Sequence, residues 1–143
     1  MVSSQPLPAA HSGHVMSTSA DFAPQCGAVA LCSLSAAAVA AGFRVPFGLL
    51  FVPLRCRRPV AQARQIAIYL VHIGFSISYT EVGRGFGRDR TTVSHACGLI
   101  EDLRERRCFD LSLAWLEAAL RQYAAFSDAM GFLPETVQPP IQQ

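Results

Sequence analysis

The chain contains no lysine, and all twelve of its basic side chains are arginine. A Walker-type phosphate loop places a lysine on the nucleotide phosphates, so this absence excludes a standard P-loop ATPase. Arginine favours bidentate contacts to phosphate and to base edges, but codon bias in a GC-rich genome would also enrich it. Both explanations of the arginine usage stay open.

The sequence is also poor in patterns that bind metals or perform catalysis. Its five cysteines are odd in number and form no C-x-x-C motif, which favours reduced, packed thiols over disulfides or a zinc site. His11 and His14 lie in a leader rich in small residues, where disorder is the simpler interpretation than a metal site. No Ser/His/Asp or Cys/His arrangement is recognisable, so we expect no enzyme, no metal and no cofactor.

A long apolar stretch requires a membrane check. Seventeen small or apolar residues run from Cys26 to Gly42, at the short limit of a bilayer span. No lysine or arginine precedes them, so the basic segment of a signal peptide is missing. We interpret the stretch as a buried helix and expect no membrane, with a membrane-tethered protein as the alternative.

Length and charge define the organisation of the chain. At 143 residues it has room for one domain, which we place at residues 21–131, between a disordered leader (1–20) and a flexible tail (132–143). Residues 55–90 contain seven arginines and two acids, whereas residues 91–143 contain four arginines and seven acids. The basic middle predicts a surface for a polyanion, and the acidic C-terminal part faces water or a partner protein.

Hydrophobic spacing predicts helices and no strand. The helices are expected at about 24–41, 59–73, 79–86, 90–107 and 111–130, with a short turn after Pro46 and a loop over residues 51–58. Ser78 and Glu81 have the spacing of a capping box, Gly87 is a stop signal, and Asp89 can cap the next helix. Two helices joined by a tight glycine turn make a helix-turn-helix.

The last predicted helix has an apolar stripe. We interpret the stripe as facing the core, with a dimer surface as the alternative. Its members are Trp115, Leu116, Ala119, Leu120, Tyr123 and Phe126.

The helix that follows Asp89 carries the side chains best suited to reading DNA. In a helix-turn-helix the first residues of the second helix meet base edges in the major groove. Arg90 can bind guanine, Asp89 can accept from the cytosine amino group, and the Thr91 methyl can pack on thymine. Thr92 and His95 could hold phosphates. The alternative is structural, with Asp89 and Thr92 serving only as a helix cap.

The segment "GRDRTTVSHACGLIEDLR" resembles the signature of the C-terminal DNA-binding domain, domain IV, of the bacterial replication initiator DnaA. The usual form of that signature is D-H-T-T-V-x-H-A after a phenylalanine-glycine turn. The resemblance continues through "SYTEVGRGFG" and "ARQIAIYL", and more loosely through "RVPFGLL" and the arginine-rich loop. It implies an all-α helix-turn-helix bundle of the DnaA domain IV or Trp-repressor type, here with an extra C-terminal helix.

The resemblance also assigns residues to parts of a DNA site. Base reading falls to Asp89, Arg90 and Thr91. Backbone contacts fall to Arg64, Gln65, Tyr79, Thr80, Arg88, Thr92 and His95. An arginine of the basic loop enters the minor groove, and the candidates are Arg55, Arg57 and Arg58.

Two departures from the family pattern shape the expected function. Arg90 replaces the usual histidine at a base-reading position, which predicts an altered site. The sequence has no counterpart of the initiator's ATPase domain and resembles stand-alone domain IV proteins of alphaproteobacteria. We expect a cytoplasmic, nucleoid-associated protein that binds specific double-stranded DNA as a transcriptional or replication regulator, without a nucleotide. The alternative is an interaction module that modulates the resident DnaA or its regulators, and a homodimer is an open arrangement.

Overall fold

The computed structural model describes residues 27–53 and 55–130, and these residues form helices without any strand. They comprise α1 (Ala28–Phe43), a short 3-10 helix (Phe47–Leu50), α2 (Arg58–Phe75), α3 (Tyr79–Phe86), α4 (Arg90–Arg104) and α5 (Arg107–Ala129). The prediction of an all-α helix-turn-helix bundle with an extra C-terminal helix is confirmed. The predicted leader (1–20) and tail (132–143) lie outside the described residues.

Helix ends differ from the predicted ends by a few residues. α1 continues past Gly42 and closes at Arg44, which adopts a left-handed conformation with φ of 52°. The amides of Arg44 and Val45 bond to carbonyls of the last turn of α1, so the helix is capped without a glycine. α4 ends at Arg104, and α5 begins three residues later.

α2 is the centre of the core. α1 packs on one side of it and α4 on another, while α3 closes the bundle against α1 and α4. The largest fully buried side chains come from α1 to α4 and from the 3-10 helix: Phe86, Leu31, Leu50, Ile66, Ile68, Leu70 and Ile100. Complete burial of one such side chain stabilises the fold by roughly 1.5–3 kcal/mol.

The apolar stretch before Gly42 is part of this core. α1 buries Leu31, Cys32 and Val39, and the Ser35 hydroxyl donates to the Ala67 carbonyl of α2 at 3.0 Å. Among the described residues, no helix is both long and apolar enough to cross a bilayer.

Polar side chains attach α5 to the bundle. Arg104, at the end of α4, donates to Asp110 at 2.6 Å and to the Tyr69 hydroxyl of α2 at 2.9 Å. Arg121 donates to the Gly74 carbonyl at 3.0 Å and to Glu117 at 2.6 Å. The bond to Asp110 joins α5 to α4 and the bond to Gly74 joins it to α2, and they act together with the buried Leu113, Leu120 and Ala124.

That rotation makes the predicted core stripe of α5 largely wrong. Trp115 is 78% exposed and Phe126 is 62% exposed, and Tyr123 and Ala119 are exposed as well. Leu120 is the one member of the stripe that is buried, and Leu116 is half-buried. The side chains that α5 buries are Leu113, Leu120, Ala124 and Ser127. Apolar side chains lie on more than one side of α5, so helical spacing alone does not decide which side is covered. In the structure Leu113, Leu120 and Ala124 pack into the core, and the polar contacts of α5 accompany this orientation.

Candidate nucleic-acid interface

α3 begins with the predicted capping box. The Ser78 hydroxyl accepts from the Glu81 amide at 3.3 Å, and the Glu81 carboxylate accepts from the Ser78 amide at 3.3 Å. Two amides that the first turn leaves without helical partners are thereby satisfied. The start of the helix-turn-helix is therefore fixed by local sequence.

The turn between α3 and α4 depends on two glycines. Gly87 has φ of 63°, in the left-handed region where a side chain is costly. The Arg88 amide donates back to the Gly83 carbonyl at 2.8 Å, and a Cβ on Gly83 would lie 2.5 Å from the Arg88 carbonyl oxygen. A side chain at Gly83 would clash with the Arg88 carbonyl, and one at Gly87 would be conformationally costly, so both glycines favour this tight reversal.

Asp89 caps α4 with both carboxylate oxygens. One accepts from the Thr92 amide at 2.8 Å, and the other accepts from the Thr92 hydroxyl at 3.0 Å. These hydrogen bonds favour the ionised carboxylate and lower the pKa of Asp89. The side chain is nevertheless exposed, and a carboxylate has further lone pairs, so it can still accept from a base.

The first two turns of α4 separate an outer face from a core face. Arg90, Thr91, Thr92 and His95 are exposed, whereas Val93, Ala96 and Cys97 are buried against the bundle. Ser94 is also exposed and follows Arg90 by four residues, so it shares the Arg90 face. Sequence reasoning missed Ser94, although helical spacing alone could have identified it.

The arginine loop, residues 51–57, connects the 3-10 helix to α2. The Phe51 ring stacks on Phe86 of α3 with 5.3 Å between ring centroids, which anchors one end of the loop to the core. Arg55 and Arg57 in the loop, and Arg58 in the first turn of α2, are exposed. All three candidates for the minor-groove arginine therefore face solvent.

Arg64 and Arg88 bind backbone carbonyls of this loop and of the 3-10 helix, and we name the pair the arginine clamp. From α2, Arg64 donates to the carbonyls of Leu50 at 2.8 Å, Leu49 at 2.8 Å and Val52 at 3.1 Å, and it contacts the Cys56 sulfur at 3.3 Å. From the helix-turn-helix turn, Arg88 donates to the carbonyls of Val52 and Pro53.

The clamp brings two distant parts of the predicted site together. Arg88 immediately precedes Asp89, so its bonds to Val52 and Pro53 tie the arginine loop to the start of α4 across 35 residues of sequence. Burial, and then the charge of Arg64, lower the pKa of Arg88. Both guanidinium groups are engaged inside the protein, and their phosphate contacts stay predictions. Sequence reasoning did not find this positioning role.

The remaining predicted contacts lie on α2 and at the start of α3. Gln65 is half-buried beside Arg64, and Thr80 is exposed in the first turn of α3. The Tyr79 ring packs against His72, with 4.2 Å between ring centroids. The roles of these three residues toward DNA also stay predictions.

The two buried thiols, Cys32 and Cys97, are poorly suited to act as nucleophiles. Burial raises the pKa of Cys32 to about 12, and burial together with Glu101 raises that of Cys97 to about 11, so both stay protonated at neutral pH. Cys97 is buried while His95 is exposed, so the two do not share a face. The described residues contain no cluster of three or more His, Cys, Asp or Glu side chains that could bind a metal ion.

Comparison with known proteins supports the helix-turn-helix that α3 and α4 form in the structure. Residues 36–100 match the bacterial DnaA protein helix-turn-helix family. This part of the chain also resembles two proteins named chromosomal replication initiator protein DnaA. The one from Agrobacterium fabrum (strain C58 / ATCC 33970) is 50% identical over 50 residues, which are 34% of this chain and 10% of that protein. The one from Bartonella quintana (strain Toulouse) is 48% identical over 61 residues, which are 42% of this chain and 12% of that protein.

The extent of the match separates two parts of the structure. The family match runs from within α1 to Ile100 of α4 and includes the arginine loop, the clamp and the helix-turn-helix. The aligned region spans only about a tenth of the length of these DnaA relatives. α5 lies beyond the matched residues. The predicted resemblance to the DnaA helix-turn-helix domain is confirmed for the matched part.

Proposed function

We propose that this protein binds specific double-stranded DNA through the DnaA-like helix-turn-helix and acts as a transcriptional or replication regulator. The first turn of α4 reads bases in the major groove, and an arginine of the neighbouring loop enters the minor groove. The protein acts in the bacterial cytoplasm, associated with the nucleoid. It uses no nucleotide, metal or cofactor and catalyses no reaction.

One observation carries the proposal: the exposed row from Asp89 to Thr92 lies beside the exposed arginine loop, and the arginine clamp ties the two together. A reader of one short site needs base contacts and backbone contacts on one side of the molecule. The match to the DnaA helix-turn-helix family and to named replication initiators supports a role at DNA.

Salt-dependent binding tests the proposal. We would measure the fluorescence anisotropy of a labelled duplex with the wild-type chain, Arg57→Ala and Arg106→Ala over a series of salt concentrations. Each phosphate contact contributes about −0.9 to the slope of log K against log salt. Replacing whichever of Arg55, Arg57 and Arg58 contacts the DNA by alanine should therefore flatten the slope by about 0.9, and Arg57→Ala is the first of the three to measure. Arg106→Ala removes an exposed arginine outside the proposed site and should behave as wild type.

Two results would contradict the proposal. The first is an absence of duplex binding at low salt, and the second is a slope equal to that of wild type for each of Arg55→Ala, Arg57→Ala and Arg58→Ala. If a cellular effect of the chain also survived Arg57→Ala and Arg90→Ala, a module acting on the resident DnaA or its regulators would replace the DNA reader.

A further inference from the structure

α5 has an apolar side that nothing in the described residues covers. We define the outer α5 face by Leu111, Trp115, Ala119, Gln122, Phe126 and Met130. All six residues are exposed, with Trp115 at 78%, Met130 at 65%, Phe126 at 62% and Leu111 at 52%. Exposure of this many large apolar side chains along one helix is unusual for a monomer and marks an interaction surface.

Charge is absent from this face. The acidic and basic side chains of α5 that bind the bundle are Asp110, Glu117 and Arg121, and they lie on a different side of the helix. The residues between the large apolar side chains of the face are small or uncharged, as Ala118, Ala119 and Gln122 show. A partner for such a face must itself be apolar and uncharged, because burying an unpaired charge is costly.

The spacing of the residues on the face is the same when it is read in either direction along the helix. The steps from Leu111 to Met130 are four, four, three, four and four residues. In an antiparallel pair whose twofold axis passes between Ala119 and Gln122, Leu111 lies opposite the partner's Met130, and Trp115 lies opposite the partner's Phe126. At the centre, the small Ala119 faces the partner's Gln122, which leaves room for the longer glutamine side chain. A surface that complements itself in this way is what a twofold-symmetric interface requires.

The apolar area of the face is a substantial part of what a dimer interface buries. α5 has 23 residues and is therefore about 34 Å long at 1.5 Å per residue. Trp115 and Phe126 are the two aromatic side chains of the face, and at about 150–250 Å² each when fully covered they contribute roughly 300–500 Å² per copy, to which Leu111 and Met130 add. A standard-size stable interface buries about 800 Å² per partner.

We propose that the outer α5 face is the interface of a homodimer with two antiparallel α5 helices. α5 is attached to the C-terminal ends of α2 and α4 through Gly74 and Arg104, whereas the base-reading residues lie at the N-terminal end of α4. Pairing through α5 leaves the first turn of α4 exposed in both copies. If the proposed DNA reading holds, the dimer binds two half-sites.

The oligomeric state without DNA tests the interface. We would measure the mass of the full chain by light scattering and sedimentation over a range of concentrations. Trp115 is the only tryptophan, so its emission reports directly on the face. We expect the mass of two copies and a shift of the emission to shorter wavelength as the concentration rises.

Two matched substitutions separate this face from a general effect of charge. Ala119→Glu places a carboxylate on the face, near the twofold axis, and should raise the dimer dissociation constant at least about a hundredfold, since like charges in an interface repel strongly. Ala114→Glu introduces the same side chain at an exposed position of α5 outside the face and should leave the dimer intact. Both positions are exposed, so we expect both variants to fold.

Three outcomes would overturn the proposal. One is a wild-type monomer with solvent-exposed Trp115 emission at every concentration. Another is a monomer whose emission already shows burial, which would mean that other residues of the same chain cover the face. The third is a dimer that Ala119→Glu does not weaken. Because the measurement contains no DNA, these outcomes are independent of whether the chain reads DNA.

Discussion

At the residue scale, the first turn of α4 depends on the carboxylate of Asp89. Its oxygens accept from the Thr92 amide and from the Thr92 hydroxyl, and both bonds favour the ionised form. Because these bonds lower the pKa of Asp89 on folding, its capping contribution is complete above the pKa of the unfolded chain. That contribution is lost as the pH falls through the lower pKa of the folded protein.

The residue-scale prediction concerns the pKa of Asp89. Thr92→Val keeps the amide bond to Asp89 and removes the hydroxyl bond, so the pKa of Asp89 should rise toward its ordinary value of about 3.9. Carboxyl-carbon NMR titration of both proteins measures the change directly. Asp89→Asn should keep the cap and make α4 less sensitive to acid than in wild type. An Asp89 pKa that does not change in Thr92→Val would show that the hydroxyl bond is not formed in solution.

At the element scale, the arginine loop and the helix-turn-helix form one unit because the clamp joins them. Arg64 and Arg88 together bind the carbonyls of four loop or 3-10 residues, which otherwise have no partners in a helix. The clamp arginines therefore differ in role from Arg57, although all three belong to the same basic segment. Arg64 and Arg88 hold the loop in place because their guanidinium groups donate to its carbonyls, whereas Arg57 is exposed to solvent.

The element-scale prediction separates these roles by stability. Arg88→Ala removes charge-assisted hydrogen bonds to the loop and should lower the free energy of unfolding by about 2 kcal/mol. It should also speed hydrogen exchange at the loop amides. Arg84→Ala, at an exposed position on the neighbouring helix α3, and Arg57→Ala should both leave stability near wild type. Thermal unfolding and exchange mass spectrometry measure both effects. Wild-type stability and loop exchange in Arg88→Ala would contradict the positioning role.

The same elements show what sequence could predict. The capping box of Ser78 and Glu81, the cap at Asp89 and the stop at Gly87 are confirmed, because each depends on residues within one turn. The clamp was not predicted, because Arg88 meets Val52 and Pro53 only after the chain has folded. The covered side of α5 was mispredicted for the same reason, since contacts from α2 and α4 select it.

At the scale of the whole molecule, the two proposed functions occupy different surfaces. Exposed arginines lie in the arginine loop and at the starts of α2 and α4, while α5 carries the uncharged outer face. The family match covers the first surface and ends before the second. The part that resembles the DnaA helix-turn-helix domain thus carries a further helix with an exposed apolar face, and this separation lets the proposed DNA binding and the proposed association be tested independently.

The central claim is that the first turn of α4 reads DNA bases. Selection of bound duplexes from a random DNA pool tests it most directly, with wild type, Arg90→Ala and Arg106→Ala compared. The wild type and Arg106→Ala should select one motif. Arg90 is exposed, so its loss should leave the fold intact, and it should remove preference at one or two adjacent base pairs by roughly ten- to a hundredfold. The absence of any wild-type motif, or the same motif for Arg90→Ala, would show that the first turn of α4 does not read DNA.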